Sequence, residues 1–268
     1  MIKNDAIVYP HIISSGWEKY YLLCSDIHYD SPECDRKMLK RHFDQAKERD
    51  ASILIFGDIF DAMGGKHDPR TNKGSILPEY QQENYFDLLV DDAAKFFRNY
   101  KDNIKLLTMG NHEFSVTKHH ETCLSRRLIN ETNPEIDYGR YTGFIRFKFQ
   151  EKNSNRSSKV MYYAHGIGGS APVTRGVIDT NRRGVNFDAD FFVSGHKHTS
   201  WNVPISRTKL SDSNKVINYD QEHIQLGTYK DPGEWEKGKE FGAPIKGGYW
   251  LRFYLLNNKI LYELIRAK

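Results

Sequence analysis

Five short clusters of histidine, aspartate and asparagine carry the residue types that bind divalent metals: Asp26-Ile27-His28, Gly57-Asp58-Ile59-Phe60-Asp61, Gly110-Asn111-His112-Glu113, His165-Gly166 and Gly195-His196-Lys197-His198. Residues at i and i+2 of an extended segment project to the same side, so Asp26 with His28, and His196 with His198, are expected to share a metal-sized space. The glycine ahead of His196 removes a side chain that would crowd that space. Asp58 offers two carboxylate oxygens and can bridge two cations, Asn111 offers a neutral carbonyl oxygen, and His165 a neutral imidazole. A His, Asp and Asn set without cysteine favours intermediate to hard ions such as manganese, iron or zinc over a structural thiolate site.

Chance alone separates the strong signals from the weak. With each fixed position matched about once in 20, Asp-x-His is expected roughly 0.7 times in a chain of this length, Gly-Asp-x-x-Asp about 0.03 times, and Gly-Asn-His-Glu less than about 0.01 times. Taken together, behind apolar runs, the clusters outweigh a reading as scattered surface polar residues.

Those apolar runs are the elements that must position the clusters. Tyr20–Cys24 reads as a buried strand and Asp35–Arg49 as a helix, with Met38, Leu39, His42, Phe43 and Ala46 on one stripe. Ser52–Phe56 is a second strand, Met63–Pro78 a loop, Glu79–Asn99 a helix carrying Phe86, Leu89, Ala93, Phe96 and Phe97, and Ile104–Met109 a third strand. Alternating strands and helices predict parallel pairing. Phe144–Gln150 and Val160–Ala164 predict a hairpin around the polar turn Lys152–Lys159, and Tyr249–Leu256 with Lys259–Leu264 a second one turned at Asn257-Asn258. Phe191–Val193 and His223–Leu226 are further strands, so the second half is strand-rich. Four of the five clusters begin at the end of an apolar run, where open α/β sheets present their sites.

In this order the five clusters resemble the calcineurin-like metallophosphoesterase superfamily, over residues 26–198 of a chain expected to form one domain, 1–268. The resemblance implies an α/β fold of the αββα kind, a double β-sheet sandwich flanked by helices, with a dinuclear metal site at the C-terminal ends of strands. It implies that Asp26, His28, Asp58 and His198 hold one ion, that Asp58, Asn111, His165 and His196 hold the other, and that a metal-bridging hydroxide attacks phosphorus in line. His112 is the histidine that the family leaves unligated, and the resemblance makes it the proton donor to the leaving oxygen, oriented by Asp61. An imidazole suits that task because it titrates near neutral pH. Glu113 is left outside the site.

The form Gly-Asp-Ile-Phe-Asp resembles the branch of nucleases and other phosphodiesterases, and Gln225-Leu226-Gly227-Thr228 resembles a returning strand of nuclease members. The serine/threonine phosphatase branch expects Asp-Arg-Gly where this chain has Asp61-Ala62-Met63, and the lipid-precursor hydrolases lack the histidine that here is His112. The short remainder after His198 leaves little room for a DNA-capping domain. A phosphodiesterase or nuclease acting on nucleic acid or nucleotides is therefore expected, with a phosphomonoesterase for nucleotides, metabolites or phosphoproteins as the alternative and a metal-stabilised, non-catalytic binding module behind both. Two divalent ions are implied, manganese first, then iron, zinc or nickel.

Arg175, Arg182 and Arg183, between the fourth and fifth clusters, are the substrate-binding candidates, with Lys66, His67, Arg70 and Lys73 in the earlier loop and Tyr29 for base stacking. A formal net charge of +4 is too small for extended duplex binding. Apolar runs far shorter than about 20 residues exclude a helical membrane span, and the absence of an apolar core with a cleavage site in Met1–Ile13 argues against a secretory signal. Three cysteines without a C-x-x-C pair argue against a disulfide framework. A cytoplasmic enzyme of open oligomeric state is the expectation.

Overall fold

The computed structural model describes residues 6–65, 76–151, 154–169, 171, 173–238 and 242–268. Two six-stranded sheets stack face to face. The first runs β1 (Ile7–Ile12), β6 (Thr142–Glu151), β7 (Ser154–Ala164), β8 (Phe191–Ser194), β10 (Val216–Gln225) and β9 (Trp201–Leu210); the second runs β12 (Lys259–Arg266), β11 (Tyr249–Leu256), β2 (Glu18–Cys24), β3 (Ser52–Ile55), β4 (Ile104–Leu107) and β5 (Asp137–Tyr138). As the alternation predicts, β2, β3, β4 and β5 pair in parallel.

Burial on both faces explains why these strands read as unbroken apolar runs. Side chains alternate along them, so Leu22, Cys24, Ile53 and Ile55 enter one core while Tyr21, Leu23, Leu54 and Phe56 enter the other. The first core lies beneath four helices, α1 (Arg36–Glu48), α2 (Tyr85–Phe97), α3 (Asn111–His120) and α4 (Leu124–Thr132), which contribute Phe43, Phe97, Val116 and Leu128. Asp35 starts α1 by accepting the Met38 N–H at 2.9 Å. The second core fills the space between the sheets, where the Phe253 ring centroid lies 5.1 Å from that of Phe147 and 5.2 Å from that of Phe149. The outer face of the first sheet carries the short helix α5 (Asp179–Asn186) over a small cluster of Tyr162, Ala189 and Phe192. The arrangement is αββα, with helices unequally shared between the two faces.

Several boundaries differ from the pattern-based expectation. Strand β7 already begins at Ser154, so most of the polar stretch Lys152–Lys159 is strand and not turn; Lys152 and Asn153 lie outside the described residues. Helix α2 starts at Tyr85, because Pro78–Tyr80 forms a separate 3-10 turn. The run at His223 is the end of a ten-residue strand paired along its length with β9. Asn257 and Asn258 do make the final tight turn, at φ of 47° and 60°. Among the described residues no helix is long and apolar enough to cross a membrane.

Phe253 joins both sheets through aromatic contacts, so Phe253→Ala is expected to cost about 3–5 kcal/mol of unfolding free energy, read as a lower urea midpoint. Val173→Ala, at a residue 94% exposed, should stay within about 0.5 kcal/mol of the parent.

Candidate metal centre

All seven ligand candidates come to one place at the strand ends, and both sheets supply them. Asp26 and His28 follow β2, Asp58 follows β3, and Asn111 opens α3 after β4; from the other sheet, His165 follows β7 while His196 and His198 follow β8. Ligand atoms of Asp26, His28 and His198 lie within 4.8 Å of one another, as do those of Asp58, His165 and His196, and those of His28, Asp61 and His112. The Asn111 amide oxygen joins the second group, 2.7 Å from His196 Nδ1 and 3.0 Å from His165 Nε2. Asp58 Oδ2 is 3.0 Å from His165 Nε2.

The backbone that achieves this is not extended. Asp26, His28, Asp58, His196 and His198 all adopt left-handed φ, between 48° and 72°. The i, i+2 projection rule therefore does not describe these pairs; sharp turns, to which Asp and His are among the better-suited residues, bring the side chains together instead. The turns are held by hydrogen bonds: the Asp26 carbonyl accepts from Thr228 Oγ1 and the Tyr229 N–H, and the Asp58 carbonyl from the Ile27 and His28 N–H groups. Gly195 is needed as expected, since a Cβ there would collide with Ser25 Oγ and Asp26 Oδ2.

The donor set fits divalent cations. His28 Nε2 and His198 Nε2 face each other at 3.2 Å, a separation that two imidazoles adopt on a common ion when each metal–nitrogen bond is about 2.1 Å. His165 Nδ1–H donates to the Phe56 carbonyl at 2.9 Å, which turns Nε2 toward Asp58 and Asn111. Burial alone would raise the Asp58 pKa, yet the charges of His165 and His112 hold it well below the usual carboxylate range. Asp26 is lowered in the same way, its burial outweighed by His198 and His165. Burial pushes His28 down to about 4. His165 moves the other way, to about 10, because Asp58 and Asp26 outweigh its burial.

Around the ligands, Asp61 meets His112 mainly through its backbone. Its main-chain carbonyl accepts from His112 Nδ1 at 2.6 Å, while its carboxylate lies 2.9 Å from His28 Nδ1, 3.7 Å from His112 Nδ1 and 3.2 Å from Lys230 Nζ. Two neighbours lie outside the expected site. Glu113, fully buried, accepts the N–H groups of Asp58, Phe60 and Gly110, so it holds two of the metal-bearing loops together. Its own burial and the Asp58 charge raise it to about 7. Lys230 is the other, and only its distance in sequence hid it.

The arginines separate. Arg175 and Arg182 are exposed, whereas Arg183 donates to Ser194 Oγ at 2.7 Å beneath α5. Tyr29 is buried among Phe96, Phe97 and the Arg36 guanidinium. Lys66, His67, Arg70 and Lys73 lie outside the described residues.

A family model described as calcineurin-like phosphoesterase matches residues 20–200. No curated protein matches the chain. Among solved structures the chain is similar to vacuolar protein sorting 29 from Cryptosporidium parvum, with 12% identity over 94% of this chain and 100% of that one and a TM-score of 0.38. It is also similar to GAP50, the anchor in the inner membrane complex of Plasmodium, with 12% identity, 94% and 85% coverage and a TM-score of 0.44. A metallophosphoesterase from Sphaerobacter thermophilus gives 12% identity, 93% and 89% coverage and a TM-score of 0.39.

The opposite shifts of the ligands predict a proton count. Asp26, Asp58 and His28 are already in their metal-binding forms at neutral pH, but His165, raised to about 10, carries a proton that a cation must displace. Affinity for Mn²⁺ is therefore expected to rise with pH between about 6 and 8, by about tenfold per unit for each proton released. Calorimetry in buffers of different ionisation enthalpy measures that release, and a pH-independent affinity contradicts it.

Proposed function

Because the chain belongs to the calcineurin-like phosphoesterase family, a family of phosphoric-ester hydrolases, we propose that it is a metal-dependent phosphodiesterase cleaving nucleic-acid or nucleotide phosphodiesters. The disposition of positive charge carries this reading. A phosphomonoester brings about −1.5 to −2 charges at neutral pH, and a site for it needs cations turned toward the terminal oxygens. Three cations beside the ligand loops face the protein itself: Lys230 pairs with Asp61, Lys197 with Asp179, and Arg183 with Ser194. A diester, with a single negative charge, suits that arrangement better.

We assign Asp26, His28, Asp58 and His198 to one ion and Asp58, Asn111, His165 and His196 to the other. Manganese is the ion that the mixed nitrogen and oxygen donors favour. The two ions would supply positive charge against the phosphoryl oxygens and a nucleophile at neutral pH. The chain supplies orientation and a proton. With Nδ1 of His112 held by the Asp61 carbonyl, Nε2, 3.9 Å from Asp58 Oδ2, is the atom able to protonate a leaving alkoxide. The free cysteines Cys24, Cys34 and Cys123 support a reducing, cytoplasmic setting.

The test compares bis-p-nitrophenyl phosphate with p-nitrophenyl phosphate, in Mn²⁺ and in chelator. The diester should be preferred, and chelation or Asp58→Asn should abolish turnover; preference for the monoester would replace this reading with a phosphatase. His112→Ala should lower kcat on a dinucleotide by about 10²–10⁴-fold. The loss should be smaller on the aryl diester, whose leaving group needs little help from an acid.

A further inference from the structure

The loop carrying His196 and His198 is gripped from its outer side by a chain of buried polar groups that the catalytic site does not use. Gln225 is 1% exposed, and its Nε2 donates to the Gly195 carbonyl at 2.6 Å, one residue before His196. Its Oε1 accepts from Ser194 Oγ at 2.9 Å, and Ser194 Oγ in turn accepts from Arg183 Nη1 at 2.7 Å. The polarity of this chain is fixed from one end. A guanidinium has donors and no acceptor, so the Ser194 oxygen must accept from Arg183 and send its only proton to Gln225 Oε1. That leaves the amide nitrogen of Gln225 no orientation but the one facing the Gly195 carbonyl.

A second tie lies alongside. Lys197, between the two histidines, pairs with Asp179 in the first turn of α5, and Asp179 Oδ2 is 3.9 Å from Arg183 Nη2. On the inner side the same loop hangs from the Asp26 carboxylate through the His196 N–H, at 2.8 Å, and from the His165 carbonyl through the Gly195 N–H, at 2.9 Å. His196, at a φ of 72°, thus sits in a turn clamped on both sides.

We propose that Arg183 is a positioning residue for the metal ligand His196, acting through Ser194 and Gln225 on the Gly195 carbonyl. This assignment rests on the metal-centre reading and is independent of the ester preferred. Partners of this kind typically change metal affinity by about 10- to 100-fold.

The experiment titrates Mn²⁺ into chelator-stripped full-length protein by calorimetry, beside the melting temperature of the same metal-free samples. Arg183→Met, Ser194→Ala and Gln225→Glu are each expected to weaken one of the two Mn²⁺ steps by about 10- to 100-fold, leaving the other step close to that of the parent, and in Arg183→Met and Ser194→Ala the metal-free melting temperature as well. Gln225→Glu should be the worst of the three, because it turns a carboxylate oxygen toward the Gly195 carbonyl, and Arg183→Lys, which can still donate to Ser194, should recover most of the affinity. The proposal is overturned if both Mn²⁺ steps keep parental affinity in all three variants, or if both weaken equally in proportion to a fall in melting temperature. Absence of Mn²⁺ binding by the parent protein would overturn it together with the metal centre, whereas monoester preference by a parent that binds two ions would leave it standing.

Discussion

Asp26 and Asp58, 0% and 2% exposed, face imidazoles carried by the opposite sheet, and this meeting of buried carboxylates with convergent lone pairs governs what the surrounding chain must do. Isolated buried carboxylates are costly unless they are compensated. Here the compensation is crowded into a few turns, where five of the ligand residues adopt left-handed backbone that costs a non-glycine residue of order 1 kcal/mol or more. Such conformations persist only where neighbours over-determine them. The Asp26 carbonyl, held by Thr228 and Tyr229, and the Asp58 carbonyl, held by Ile27 and His28, are that over-determination.

Negative charge around the centre extends beyond the ligands. Asp30, Asp61 and Glu113 are all less than 5% exposed, and main-chain donors satisfy two of them: Asp30 accepts from the Asp61 and Ala62 N–H groups, Glu113 from those of Asp58, Phe60 and Gly110. The oxygens of Asp30 and Glu113 are engaged in shaping the turns, whereas those of Asp61 face His28 and Lys230. The ligand oxygens and nitrogens are the ones left pointing at each other. The site thus sorts its acids by what they face: backbone for Asp30 and Glu113, Lys230 and His28 for Asp61, and the convergent imidazoles for Asp26 and Asp58.

What could be read from the sequence follows the same division. Strands β2, β3 and β4 were legible because both their faces are buried, and the ligands were legible because metal chemistry restricts residue type. Strand β9 was not, since its exposed edge residues impose no apolar period, and β1, an edge strand of alternating burial, offers too few buried positions to stand out from a polar N-terminal stretch. Glu113 was passed over because it acts on main-chain N–H groups, which leave no trace in side-chain pattern. Arg183 reads as a substrate contact when only its proximity to two ligand clusters is known; its turn inward beneath α5 depends on Ser194 and Gln225, which local sequence does not connect to it. The αββα layering and the parallel order were thus foreseeable, the left-handed turns were not, because φ at Asp and His is decided by the hydrogen bonds a loop receives from elsewhere.

The division of ligands between two sheets gives the aromatic core a second job. Asp26, Asp58 and Asn111 ride on one sheet and His165, His196 and His198 on the other, so the distances among them, 2.7 to 3.4 Å at their closest, are set by how the sheets stack. That stacking is fixed between them by Phe147, Phe149, Phe191 and Phe253, large rings whose interlocking tolerates little sliding. A displacement of one sheet along the other by even one residue, about 3.3 Å, would exceed the contacts that define each ligand group. Cation binding, conversely, would tie the sheets together at their open end and stabilise the folded chain in proportion to its affinity for the native state alone. Core and centre are therefore one mechanical unit, in which the packing that makes the fold also sets the spacing that makes the site.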